Sequence, residues 1–202
     1  MGHASQTFRM ASIAAILALA AGSAFALEEA KDEKDKLKAC EASLCELVKK
    51  KQPTTGDFAC ALQKTWAKDK IVEGAQAGSV SWSFGDARCQ IDIKLPRADA
   101  IAALGSGTQT LQFPEHVVKC EIERDKELTP VTAKLNPKIE FKDGVAQKAW
   151  VNLKEVDGPT AIKGLVSTVA TVQDGLGIFH KAMIKAINDQ ISKKCDKLAT
   201  GG

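Results

Sequence analysis

The chain has 202 residues, of which 45% are hydrophobic and 26% are charged, and its formal net charge is +3. This composition is that of one globular domain and excludes collagen-like and wholly disordered chains. The small positive excess is spread along the sequence, so we expect no nucleic-acid partner. Six cysteines are the unusual feature of the composition.

The first 26 residues have the pattern of a secretory signal peptide. Arg9 precedes an uncharged apolar run, residues 10–22, and Ala24 and Ala26 stand third and first before a cleavage site. A membrane anchor is the competing interpretation, but a spanning helix needs about 20 apolar residues, and charged residues begin at Glu28. We therefore expect residues 27–202 to form a single domain that is periplasmic or secreted, with no transmembrane segment after cleavage.

Export decides how the six cysteines are interpreted. In an oxidising compartment an even number of cysteines indicates disulfide bonds. No CxxC motif is present, and only His116 and His180 follow the signal, so we expect no metal site. From their places on the predicted elements, the expected pairs are Cys45 with Cys60, Cys89 with Cys120, and Cys40 with Cys195.

The mature chain is predicted to begin with a helical hairpin. Residues 28–51 carry apolar side chains three or four apart, which indicates an amphipathic helix, and Pro53 ends it. Asp57 can then cap a second helix that continues to about residue 69. If both segments are helical, Cys45 and Cys60 meet across the hairpin.

Alternating apolar and polar residues then predict a curved, mostly antiparallel sheet of about six strands. The clearest alternation predicts a hairpin whose strands lie at residues 80–84 and 89–95. Further strands are expected at residues 108–113 and 117–123.

Residues 131–156 are predicted to form an edge strand bent at Pro137 and a return strand. The sequence Asp143-Gly144 between them indicates a tight turn. Trp150 has the opposite parity from its neighbours Val151 and Leu153, so either a bulge shifts the register or both faces of the strand are covered.

The last predicted element is a long apolar helix over about residues 159–195. Gly175 and Gly177 must interrupt it, because interior glycines destabilise helices, so either two helices meet there or one helix is kinked. In the expected α+β arrangement, this kinked helix packs on the sheet and three disulfides hold the domain together.

No catalytic motif or cofactor-binding motif is present. An enzyme would require His116, expected in a solvated loop, or His180, on the last helix, to lie beside a serine, a carboxylate or a free thiol. Both histidines have ordinary structural explanations. We therefore expect a protein that is not an enzyme.

The function that these elements favour is binding of an apolar or amphipathic, lipid-like ligand between the sheet and the C-terminal helix, where concave apolar spaces form. The alternative is a disulfide-stabilised protein-interaction module, such as an inhibitor or an envelope assembly subunit with an envelope protein as partner, which would expose an apolar patch. The residues expected to line the ligand site are Trp82, Phe84, Ile91, Ile93, Val169, Phe179 and Met183.

Overall fold

Two antiparallel β-sheets organise the chain in this computed structural model, which describes residues 27–76, 80–176 and 180–199. Within these ranges the strands are β1 (Asp57–Trp66), β2 (Ala87–Pro96), β3 (Thr108–Gln112), β4 (His116–Arg124), β5 (Glu127–Leu135), β6 (Lys138–Lys142), β7 (Val145–Trp150) and β8 (Leu153–Asp157). The helices are α1 (Glu33–Lys50), α2 (Lys68–Gln76), α3 (Arg97–Ala103), α4 (Thr160–Leu176), α5 (His180–Asp189) and α6 (Cys195–Ala199), with the π-helical turn Gln190–Lys194 between α5 and α6. The α+β class is confirmed, with eight strands in these ranges where about six were predicted. The predicted signal peptide lies outside the described residues.

The larger sheet has the strand order β1-β2-β4-β5-β8, and the smaller sheet has the order β3-β6-β7. One face of the larger sheet is apolar, because alternate side chains of each strand point to the same side. Helices α1, α3 and α5 and the smaller sheet cover this face near β1, and α2 and α4 cover it near β8. The core lies between these layers, and buried residues on the sheet face include Phe58, Leu95, Ile122, Val131 and Val156.

The predicted second helix of the N-terminal hairpin is wrong, because residues 57–66 form β1. Phe58, Cys60 and Leu62 alternate with smaller or polar residues, so the segment fits a strand as well as a helix. β1 pairs with β2 along its full length, and this pairing outweighs helix propensity, which is a weak determinant of structure. The N-terminal unit is therefore a helix, α1, packed against a strand.

This correction also changes the disulfide pairing. The disulfides are Cys40–Cys60, Cys45–Cys195 and Cys89–Cys120, so the predicted pair Cys89–Cys120 is confirmed and the predicted pairs Cys45–Cys60 and Cys40–Cys195 are wrong. A strand rises about 3.3 Å per residue and a helix about 1.5 Å. A strand therefore carries Cys60 farther back along α1 than a helical hairpin would. The structure places Cys40 opposite Cys60, with 5.6 Å between their Cα atoms, and Cys45 faces Cys195.

The predicted hairpin of residues 80–95 is right only in its second strand. Residues 80–86 form no strand, because β1 and β4 already occupy the two sides of β2. The indole Nε1 of Trp82 instead donates a hydrogen bond to the carbonyl oxygen of Gly85 at 2.9 Å. The backbone N–H of Gly85 donates to the carbonyl oxygen of Glu123 at 2.8 Å, which attaches this loop to β4.

Each of the two predicted strands in residues 131–156 is divided between the sheets. The first breaks at Pro137 into β5 and β6, and the second breaks into β7 and β8 at Asn152, whose φ is 48°. β5 lies between β4 and β8, so the predicted edge position is wrong. The change of sheet at both breaks is what brings β8 beside β5.

The predicted turn between these strands is confirmed. Asp143 and Gly144 have φ values of 52° and 76°, as a two-residue hairpin turn with positive φ at both central positions requires. The register of β6 and β7 shifts between Glu140 and Phe141. The extra residue on β7 lies between Ala146 and Lys148, before Trp150, so this bulge does not explain the opposite parity of Trp150 and Leu153. β7 ends at Trp150, and Leu153 belongs to β8 in the other sheet.

The predicted long C-terminal helix corresponds to two helical segments of the described residues, and the predicted interruption near Gly175 and Gly177 falls partly outside them. α4 ends at Leu176 and α5 begins at His180, while residues 177–179 lie outside the described residues. α4 packs mainly on β8 of the larger sheet, and α5 packs on β7 of the smaller sheet. The strands that the two helices contact most therefore belong to different sheets.

A buried carboxylate attaches α1 to β1. Glu33 is only 2% exposed and accepts hydrogen bonds from the backbone N–H of Thr65 at 2.8 Å, from its hydroxyl at 2.9 Å and from Lys64 Nζ at 2.9 Å. Burial raises the pKa of the Glu33 carboxyl, but the hydrogen bonds from Thr65 and Lys64 together outweigh burial. The pKa therefore lies below the ordinary value of 4.5.

The substitution Glu33→Gln is expected to lower the free energy of unfolding by about 2 kcal/mol at pH 7, since hydrogen bonds to a charged acceptor are lost. Because the native pKa is below the unfolded one, this stabilisation is complete above about pH 4.5 and is lost as the pH falls through the native pKa. Urea unfolding between pH 7 and pH 3 should show the difference between wild type and E33Q shrinking with acidity. Glu46→Gln, at an exposed position of α1, is the control. If the difference in unfolding free energy between wild type and E33Q did not depend on pH, the lowered pKa assigned to Glu33 would be contradicted.

Candidate functional site

An apolar cavity lies between the β5 and β8 end of the larger sheet and the helices that cover it. Its volume is about 480 Å³, within the range of about 300 to 1,000 Å³ that is typical of small-molecule sites. β5 and β8 line it from the sheet side, α4 and α2 line it from the helix side, and Met183 of α5 also contributes. The described lining residues are Ile71, Gly74, Ala75, Val80, Trp82, Ala133, Leu135, Val151, Leu153, Leu165, Val166, Val169, Ala170 and Met183.

The described lining of this cavity is apolar throughout. The one nitrogen or oxygen atom among the described lining side chains is the indole nitrogen of Trp82, whose N–H already donates to the carbonyl oxygen of Gly85. The Trp82 ring meets Phe84 edge-on, with 5.1 Å between ring centroids, so this aromatic wall is held in place. Among the described residues, no buried side-chain nitrogen or oxygen lacks a hydrogen-bond partner. The cavity therefore presents hydrocarbon and aromatic surface to anything that enters it.

Helix α4 is anchored at both ends and borders the cavity in its middle turns. Near its beginning, Ile162 is fully buried in the core of the larger sheet. Near its end, the Asp174 carboxylate accepts hydrogen bonds from the backbone N–H groups of Val151 and Asn152, each at 2.7 Å. These anchors hold α4 on the sheet without filling the space beneath its centre.

A second, smaller cavity of about 150 Å³ lies beside the first. Leu135 and Met183 line both cavities, so these two side chains stand between them. The smaller cavity is lined by β2, β6 and β7 as well as α5, and Trp150 and Ile187 contribute to it. The apolar space therefore extends from one core cluster toward the other.

His116, predicted in a solvated loop, is instead the first residue of β4 and is only 5% exposed. Its Nδ1 lies 2.6 Å from the carbonyl oxygen of Pro114, and its Nε2 accepts the backbone N–H of Lys94 at 2.9 Å. These partners assign the proton to Nδ1. Both ring nitrogens form hydrogen bonds with backbone groups at the point where β2 and β4 separate. The role of His116 in the structure is therefore to join these segments. The side chain of His180 lies outside the described part of the structure.

The structure brings most of the predicted ligand-lining residues to these two cavities. Trp82, Val169 and Met183 line the larger cavity, while Ile91 and Ile93, together with Met183, line the smaller one. Phe84 packs on Trp82 and belongs to the core beside it. Phe179 lies outside the described residues.

Sequence reasoning missed the contributions of α2, β5 and β8 to the larger cavity. Ile71, Gly74 and Ala75 of α2 belong to a segment for which the sequence pattern predicts no element. Ala133 and Leu135 have the alternation of a strand, but an edge position gave no reason to place them in the interior. The apolar repeat that includes Val169 also contains Leu165 and Val166 of the wall, so the same helical spacing could have identified these two residues.

Other concave regions of the described surface have a different chemistry. A groove of about 560 Å³ on the outer face of the larger sheet carries charges of both signs, from Asp92, Lys94 and Lys119 among others. All six cysteines form disulfides. In the parts of the chain that the structure describes, no group of three or more histidine, cysteine or acidic residues is placed to hold a metal ion.

None of the described helices is both long enough and apolar enough to cross a membrane. Comparison with protein-family models, with curated protein sequences and with solved structures finds no match to this chain.

Proposed function

We propose that this protein is an exported, non-enzymatic carrier or receptor that binds one acyl chain, or a similar apolar segment of a lipid-like molecule, in the larger cavity. The observation that carries the proposal is a space of about 480 Å³ whose described lining is apolar. Small-molecule sites usually combine apolar walls with a few polar groups that orient the ligand. A cavity without such groups favours a ligand portion that needs none, namely a hydrocarbon chain.

The surroundings of the cavity favour an amphipathic ligand. A groove of about 500 Å³ lies between α4 and β8, and its polar lining residues are Lys154, Glu155, Ser167, Thr171 and Asp174. Leu153 and Ala170 line both this groove and the apolar cavity. A polar headgroup in the groove would therefore be adjacent to a chain in the cavity.

The cavity volume limits the size of the chain. A cavity of about 150 Å³ accommodates benzene, so by proportion the larger cavity corresponds to a chain on the order of 15 to 20 carbons. Each methylene transferred from water contributes about 0.8 kcal/mol, or about a fourfold gain in affinity. Affinity should therefore rise with chain length and then stop rising once the cavity is full.

The proposal is tested by titrating residues 27–202 with cis-parinaric acid, a fluorescent fatty acid, and displacing it with saturated fatty acids of 8 to 20 carbons. We expect saturable binding of one probe per chain, with displacement that strengthens with length up to 15 to 20 carbons. Displacement by a neutral monoacylglycerol of the same chain length shows whether a carboxylate headgroup is needed. Absence of saturable binding, or affinities independent of chain length, would overturn the proposal.

No observation favours the alternative of a protein-interaction module. The large apolar side chains exposed in the described residues lie on five different elements, α1, β1, β4, β5 and β7. Single exposed apolar residues of this kind are normal on soluble proteins. They are Leu37, Trp66, Val117, Leu128 and Val145.

A further inference from the structure

The carboxylate of Asp86 has two backbone donors and no cationic partner among the residues that the structure describes. Asp86 is 9% exposed, and it accepts the N–H of Leu27 on Oδ2 at 2.9 Å and the N–H of Lys68 on Oδ1 at 2.8 Å. The Glu123 carboxylate is nearby, because it accepts the backbone N–H of Asp86 at 3.2 Å. Among the described residues neither carboxylate forms an ion pair, although neighbouring carboxylates such as Glu121 do.

The nearly buried carboxylate of Asp86, with the half-buried carboxylate of Glu123 nearby, favours a positive charge beside it, because a buried charge is costly unless it is paired. The nitrogen that already lies against Asp86 is that of Leu27, the residue that follows the predicted cleavage site after Ala26. Signal cleavage hydrolyses the Ala26–Leu27 peptide bond with one water molecule. The carbonyl carbon of Ala26 gains an oxygen and leaves as a carboxylate, and the nitrogen of Leu27 becomes an ammonium group at neutral pH.

We propose that Asp86 is the binding site for the mature amino terminus, and that the α-ammonium group of Leu27 forms an ion pair with it. The following residues support this placement of the chain. Arg88 Nη2 donates to the carbonyl oxygen of Glu28 at 3.0 Å, and Lys64 pairs with Glu29 at 3.2 Å. The position of the amino terminus is therefore set by contacts with both β1 and β2.

The same carboxylate connects the amino terminus to the ligand site. Asp86 also holds the backbone N–H of Lys68, the first residue of α2, and α2 lines the larger cavity. Cleavage would thus add an ion pair beside the first residue of α2, the helix that lines the larger cavity. The inference depends on the predicted cleavage site and not on the proposed ligand.

The test compares two forms of residues 27–202, one with a free amino group on Leu27 and one with that nitrogen acetylated. The acetyl amide keeps an N–H donor, as the uncleaved peptide bond does, but lacks the charge. We expect acetylation to increase the unfolding equilibrium constant about tenfold, a fall in melting temperature of about 3 to 6 °C. In Asp86→Asn the two forms should melt at the same temperature, and in the control Asp35→Asn, which changes an exposed acid of α1, the difference should persist.

Two results would overturn the proposal. The first is an equal effect of acetylation in wild type and D86N, which would show that Asp86 does not sense the terminal charge. The second is amino-terminal sequencing of the exported protein that finds a first residue other than Leu27. The acetylation effect in the wild-type sequence does not require D86N to fold.

Discussion

Replacing Cys45 and Cys195 together by alanine is expected to lower the free energy of unfolding by about 5 kcal/mol, the largest effect of any disulfide in this chain. The bond joins residues 150 positions apart, whereas Cys40–Cys60 joins residues 20 positions apart. Because the entropy lost by the unfolded chain grows with loop length, removing Cys40–Cys60 should cost about 3 kcal/mol. Both partners are replaced in each variant, so no free thiol remains.

Denaturant unfolding of the two double variants measures this difference. The affinity for cis-parinaric acid, measured where each variant is folded, should be unchanged in both, because none of these four cysteines lines the larger cavity. A smaller loss for Cys45–Cys195 than for Cys40–Cys60 would contradict the expectation that chain entropy dominates.

Filling the larger cavity is expected to abolish most of the ligand affinity without weakening the fold. Ala133 lies on β5 and lines the cavity, so the added ring of Ala133→Phe would occupy part of the space that a ligand needs. Loss of about 2 kcal/mol of apolar contact corresponds to about a thirtyfold fall in affinity. The unfolding free energy of the unliganded protein should stay the same or rise, because cavities destabilise the folded state.

The matched control is Ala59→Phe, which adds the same ring at an exposed position of β1 on the same sheet. Titration with cis-parinaric acid should give wild-type affinity for A59F and the reduced affinity for A133F. If A133F binds the probe as wild type does, the ligand does not occupy this cavity.

The parts of the fold that could be predicted are those in which the local sequence fits only one backbone conformation. Asp143-Gly144 requires a turn with positive φ, and the apolar repeat beginning near Ile162 has helical spacing. Both are confirmed at their predicted places. Cys89 and Cys120 could be paired because both lie on the inward parity of neighbouring strands, where the structure places them directly opposite each other.

The errors arose where long-range pairing decides between two locally acceptable structures. Residues 57–66 suit a helix or a strand, and the ten-residue ladder with β2 selects the strand. That choice moved β1 into the place predicted for residues 80–84 and exchanged two disulfide pairs. Away from tight turns and cysteine pairs, a single sequence contains little signal for which strand lies beside which.

The same contrast between local sequence pattern and long-range strand pairing holds for the candidate site. Trp82, Val169 and Met183 could be placed near one another because each belongs to an apolar stripe with a clear period. The wall from β8 could not be foreseen, because β8 reaches β5 only after the chain changes sheet at Asn152. The wall from α2 could not be foreseen either, because the sequence pattern predicts no helix there. The sequence predicted an apolar space between sheet and helix, and only the strand order defines which residues enclose it.

The position of Trp82 in the cavity wall allows the central claim to be measured directly. In a variant that keeps Trp82 and replaces Trp66 and Trp150 by phenylalanine, 9,10-dibromostearate should quench the tryptophan fluorescence, because bromine atoms on the acyl chain would contact the indole. Unbrominated stearate should bind without quenching, and Trp66, which is 38% exposed and does not line the cavity, should not be quenched in the reciprocal variant that keeps it alone. Quenching of Trp82 that saturates at one fatty acid per chain is the predicted result. Saturable binding that leaves Trp82 unquenched would contradict the assignment of this cavity as the ligand site.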